Sequence, residues 1–184
     1  MNPETAVYLG TVAAISFVLK TTILFNIRIR DRISESFVVV CLFFVIQNAA
    51  EFLAYFIYLR STAIGGLLVH LYMLASFFIF PALLVFALAL TSSPVFRIAR
   101  IVAYSIAFIM TAMYIAGLVA SDLQLIGWSV ITVPGPLYWP TMFTLLGFCL
   151  VTGVHLVRQA RKHENALIRY NARINLLAFT PIVM

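Results

Sequence analysis

Long apolar runs separated by short polar breaks make up nearly the whole chain. They predict helices over residues 5–27, 36–59, 67–90, 95–119, 137–163 and 166–184. An α-helix rises ~1.5 Å per residue, so ~20 apolar residues cross the hydrocarbon core of a bilayer. The breaks carry local signals. Arg28-Ile29-Arg30-Asp31-Arg32 ends the first run, and Ser61 to Gly66 follows the second with two glycines. Thr91-Ser92-Ser93-Pro94 ends the third, with Ser93 before Pro94 marking the start of the next helix. Pro81 lies inside the third run, where a proline predicts a kink whose freed carbonyl a neighbour satisfies.

Between the fourth and fifth runs the period changes. Leu123, Leu125, Trp128, Val130, Ile131 and Val133 mix with Gln124, Ser129 and Thr132 around Gly127. That near-alternation predicts a short β-hairpin or extended loop near 120–136. An open sheet cannot sit in lipid, so this segment belongs at the membrane surface. The last apolar segment, Ile174 to Met184, is too short to span and is still apolar where it stops. A chain cut within a sixth helix, with a seventh beyond it, is the expectation. The fold class is therefore an all-α integral membrane protein. It comprises five full transmembrane helices plus the start of a sixth, in one domain over 1–184.

Composition agrees: 64% of the 184 residues are hydrophobic and 10% are charged, against about 25% charged in a soluble domain. The net charge of +6 does not indicate nucleic acid, because the basic residues sit between apolar runs without a polar, aromatic-studded surface. Their partners are membrane lipids, and their placement orients the chain. Ten of the twelve basic residues follow the first, third and fifth runs: Arg28, Arg30, Arg32, Arg97, Arg100, Arg158, Arg161, Lys162, Arg169 and Arg173. Positive charge favours the cytoplasmic side, which places the N-terminus outside and the 120–136 loop extracytoplasmic. Cys41 and Cys149 lie in apolar runs and read as small buried hydrophobes, and the N-terminus lacks the basic region of a cleaved signal.

Polar side chains at membrane depth are the candidates for function, since each costs ~2.5–3.5 kcal/mol to insert when ionised and so needs a partner. They are Lys20, Gln47, Asn48, Glu51 and His70. On the second helix Gln47, Asn48, Glu51, Tyr55 and Tyr58 share one face by their spacing. One reading is a ligand pocket for a small molecule or lipid between the first three helices, open outward and capped by the 120–136 loop. The other is a structural lock in which Glu51 pairs with His70 or Lys20. Lys20 can also snorkel to the cytoplasmic interface. Trp128 and Tyr138, with Trp139, lie at the outer boundary, either as interfacial anchors or as residues closing a ligand site. No zinc spacing, phosphate-binding glycine loop, nucleophile–base pair or cofactor motif is present. No cofactor is expected, and the catalytic set is empty.

Gly135-Pro136-Leu137-Tyr138 leads into a long helix. A basic loop with Arg169 and Arg173 follows, then an apolar segment containing Pro181. With an N-out start and a β-prone loop before the fifth helix, this order resembles the N-terminal seven-transmembrane sensor region of bacterial histidine kinases. The same module also precedes diguanylate cyclases. The likeness is strongest from about Leu71 to Met184. It implies a sensory input domain in the bacterial cytoplasmic membrane, a cytoplasmic output domain beyond this chain, and a homodimer through the full-length receptor. It implies no particular ligand. Two other classes remain open: a transporter or transporter half with a polar midplane site, although no internal repeat is evident, and an intramembrane enzyme built on Glu51 and His70.

Overall fold

The computed structural model describes the backbone of residues 3–57, 62–126 and 129–183, and the side chains of residues 14–54, 63–124 and 132–176. The elements in chain order are α1 (Pro3–Asn26), α2 (Arg32–Ile57), α3 (Thr62–Leu90), α4 (Phe96–Ile115), β1 (Ala120–Ile126), β2 (Ser129–Pro134), α5 (Tyr138–Lys162) and α6 (Ala166–Val183). Helices α1 to α5 each coincide with an apolar run, and α6 begins at Ala166, ahead of the last one. The ends differ from the runs because local hydrogen bonds set them.

Helix α2 starts at Arg32 rather than at Ser36 because Asp31 and Ser34 cap it reciprocally. The Asp31 carboxylate accepts the Ser34 N–H at 2.8 Å, and the Ser34 hydroxyl accepts the Asp31 N–H at 3.1 Å. The Ser34 amide, helped by its hydroxyl, holds the exposed Asp31 carboxyl below its ordinary value. A lowered carboxyl stabilises the folded state above its unfolded pKa, and that contribution is lost as pH falls through the lowered value. Amide protection at Ile33 and Ser34 should therefore decline on acidification through the carboxylate range. In Asp31→Asn the decline should vanish; hydrogen exchange checks this, and an identical acid profile in the variant would exclude the cap as its source.

Helix α3 starts at Thr62, so Gly65 and Gly66 lie inside it and not in a turn. Continuing the helix keeps their backbone groups bonded where water is scarce. Pro81 is buried, and α3 stays helical on both sides of it. Its end is a left-handed turn at Ser92 (φ 52°), with Ser92 N–H donating to the Ala89 carbonyl and Ser93 N–H to that of Leu88. Helix α4 ends at Ile115 rather than near 119 by the same device, with Gly117 at φ 74°. There Gly117 N–H donates to the Tyr114 carbonyl, and Leu118 N–H to that of Met113.

The period change near 120–136 is an antiparallel hairpin with Leu123 opposite Thr132 and Gln124 opposite Ile131. An irregularity between Ala120 and Asp122 shifts the register at its base. Leu123 reaches α3, where a Cβ on Gly66 would meet its Cδ1 at 3.8 Å. The hairpin thus lies over the start of α3.

Helix α3 is the hub. It packs on α2, α4 and α5, and touches α6. Phe77, Ala82, Val85 and Ala89 along it are almost wholly buried, and its small residues let neighbouring backbones approach closely. Helix α4 turns Phe96, Ala103, Ala107, Met110 and Tyr114 inward. Its other face exposes Ile98, Ile101, Val102, Phe108 and Ile109, and α5 likewise exposes Phe143, Leu150, Val151 and Val154. Apolar faces of this extent on the outside suit lipid, not water. Among the described residues, four helices are long and apolar enough to cross a membrane: Arg32–Ala54, Ala63–Leu90, Phe96–Ile115 and Tyr138–Lys162. Helix α1 runs for 24 residues, of which Ala14–Asn26 have described side chains and are apolar, so four spans are shown and α1 stands as an apolar helix beside them. The chain has an all-α, multi-pass membrane-type fold with a small two-stranded sheet.

Candidate functional site

The polar residues at membrane depth do not form one cluster. Three contacts hold them, each on a different helix seam.

The first seam joins α1 to α2. Lys20 is half-buried, and its Nζ lies 4.6 Å from the centroid of the Phe44 ring. Glu51 and Cys41 of α2 lie within electrostatic range of Lys20 across the seam. Lys20 and Glu51 do not close to an ion pair; Arg100 with Glu35 at 3.2 Å, near the starts of α4 and α2, is the one such pair among the described residues. Cys41, Phe44, Asn48 and Glu51 follow one another at helical spacing, so a single stripe of α2 faces Lys20. Asn48 lies within that stripe. Its amide donates to the Phe44 carbonyl at 2.6 Å, which leaves its own carbonyl oxygen as an acceptor. A fixed cation, a carboxylate and an amide oxygen therefore share one half-buried strip.

The second seam joins α2 to α3. Gln47 donates to the Ser76 hydroxyl at 3.0 Å, and Ser76 donates to the Tyr72 carbonyl at 2.9 Å. Gln47 is thus engaged toward α3 while Glu51 is engaged toward α1.

The third seam joins α3 to α4. His70 Nδ1 and the Tyr114 hydroxyl are 2.7 Å apart, with the two rings edge-on. His70 is exposed, and the hydrogen bond goes to Tyr114, not to Glu51. Of the two partners the sequence offered Glu51 for a structural lock, His70 is engaged by Tyr114 instead. Nothing in the sequence flagged Ser76 or Tyr114, because each partner is remote in the chain. A further link, Thr91 Oγ1 with His155 Nε2 at 2.7 Å, ties the end of α3 to α5.

Tyr138 opens α5, packs against the main core cluster and meets Trp139 edge-on at 5.5 Å. Trp139 is largely exposed beside Phe143. The position of Trp128 lies outside the described residues. Among those described, no three His, Cys, Asp or Glu side chains converge. Both cysteines are free and buried.

No family model, no curated protein and no solved structure matches this chain.

Proposed function

We propose that the chain is the membrane-embedded sensory input region of a bacterial signalling receptor. It lies in the cytoplasmic membrane with its N-terminus outside, and relays its state to a cytoplasmic output domain of kinase or cyclase type, within a homodimer. The order of elements from the hairpin to the basic α5–α6 corner supports this reading. So does the gathering of basic residues at the end of the bundle where α1, α3 and α5 finish.

One observation carries the mechanism. Lys20 and Glu51 oppose each other, half-buried and not ion-paired, on the seam of a helix packed mainly against one neighbour. Opposite charges held apart in a low-dielectric setting make energy depend steeply on helix spacing. A polar small molecule or lipid group entering that strip shifts α1 against α2, provided it binds the two spacings unequally. Transport through a discontinuous midplane helix finds less support, since α3 is unbroken at Pro81.

In the full-length protein, Glu51→Gln should change basal phosphotransfer or cyclase output by about five-fold or more, the lower end of usual coupling energies, without altering membrane insertion. Normal insertion with unchanged output overturns the sensor reading. Solute flux into proteoliposomes that Glu51→Gln abolishes would replace it with the transporter.

A further inference from the structure

We infer that the α5–α6 corner is a binding site for the phosphate of an anionic membrane lipid. This is independent of the sensory reading and of the α1–α2 seam. A cleft of about 340 Å³ opens there, lined by Arg158, Gln159 and Lys162 of α5 and by His163 and Glu164 of the connection to α6. Arg158 and Lys162 are one helical turn apart, both exposed, and neither is ion-paired. Glu164 offsets one of their charges, and Arg161 in the same last turn of α5 restores the positive excess.

The corner has a defined shape. Asn165 caps α6 by accepting the Leu167 N–H at 2.9 Å, and its own N–H donates to His163 Nδ1 at 3.0 Å. These bonds fix the backbone that follows His163 and Glu164 at the cleft's edge. Two guanidinium or ammonium groups one turn apart can clamp the oxygens of a single phosphate.

The surroundings identify a lipid as the source of that phosphate. Val151 and Val154 are each more than half exposed, and with Gly147 they step along α5 at helical spacing directly to Arg158. Leu150, Phe143 and Leu146 widen the same apolar face. Acyl chains laid along this face bring a headgroup phosphate to the level of Arg158 and Lys162. Leu167 and Tyr170 of α6 present further exposed apolar surface at the same corner. A free phosphate ion has no use for such a stripe, whereas a phosphodiester lipid uses both halves.

The test is native mass spectrometry of the chain in detergent micelles, titrated with phosphatidylglycerol or phosphatidylcholine. The chain should prefer phosphatidylglycerol by about ten-fold or more, and Arg158→Gln with Lys162→Gln should weaken that binding by about thirty-fold, as two surface charges predict. Arg28→Gln with Arg30→Gln removes two exposed charges from the same end of the bundle but outside the cleft, and should leave the affinity within about two-fold. Equal losses from the two double variants mean diffuse attraction and overturn the site. No lipid preference in the unsubstituted chain overturns it without recourse to any variant. Displacement of phosphatidylglycerol by millimolar inorganic phosphate assigns the cleft to the free ion and overturns the lipid.

Discussion

Glu51→Lys should cost the folded bundle about 3 kcal/mol, the expense of an uncompensated charge at membrane depth, and Lys20→Glu in the same chain should restore most of it. The expectation follows from the α1–α2 seam. Lys20 faces one stripe of α2, and the only carboxylate on that stripe is Glu51. Two lysines there repel one another, and Phe44 alone cannot satisfy both. Thermal unfolding in detergent measures the loss, and the exchanged pair measures its recovery. The same pair separates the two roles left open by the sequence. Replacing Lys20 and Glu51 together by methionine removes the charges and keeps the bulk. Replacing opposed charges in a low-dielectric setting by apolar groups of similar bulk is often neutral or stabilising. A lock of this kind loses nothing in signalling when it becomes apolar. A ligand strip keeps its stability and loses its response. If Glu51→Lys alone melts like the unsubstituted chain, the two groups are not electrostatically coupled across the seam and the mechanism proposed above falls with them.

The helices were legible because a bilayer demands long apolar runs, and nothing else in the chain competes with that signal. Their ends were less legible because they depend on a few hydrogen bonds. Asp31 and Ser34 draw α2 back to Arg32, although the apolar pattern alone starts at Ser36. Gly117 turns α4 at Ile115, yet apolar residues continue to Val119. The hairpin was visible through the change of period between the fourth and fifth apolar runs, and Leu123 of β1 reaching α3 gives one apolar position of that pattern a packing role. Polar partners were the least legible. Gln47 finds Ser76 at a separation of 29 residues, and His70 finds Tyr114 at 44. No periodicity links such positions, so only the packing of α3 between α2 and α4 brings them together. Lys20 was an intermediate case. The spacing of Cys41, Phe44, Asn48 and Glu51 marks a stripe, but which helix it faces is decided by α1 having α2 as its main neighbour.

Gly135→Ala should be more damaging than the same change at Gly66 or Gly147. A Cβ at Gly135 would fall on the carbonyl of Leu118, a backbone group that cannot rotate away. That carbonyl already accepts the Leu137 N–H at 2.8 Å, while Gly135 N–H donates to the Val119 carbonyl at 2.9 Å. The two bonds cross-tie the exit of α4 to the entrance of α5 at the base of the hairpin. Val119 beside them is fully buried, so the segment leading into β1 has no room to retreat. Overpacking by one methyl costs ~1–3 kcal/mol, and two weakened hydrogen bonds add about 1 kcal/mol each, so a loss of about 3–5 kcal/mol and roughly 10–15 °C in thermal midpoint is expected. Gly147→Ala on α5 is the matched control. A Cβ there meets nothing within 4 Å, and alanine favours the helix, so its midpoint should hold or rise slightly. Proteolysis at the hairpin should accelerate in the Gly135 variant alone, because its base is what opens. Equal midpoints for the two variants would remove the steric argument. The result bears on the resemblance as well: Gly135 opens the Gly-Pro-Leu-Tyr segment, and a close backbone approach explains that glycine without any ligand. The segment then speaks first to how the hairpin joins α5, and the proposed mechanism stands on Lys20, Asn48 and Glu51.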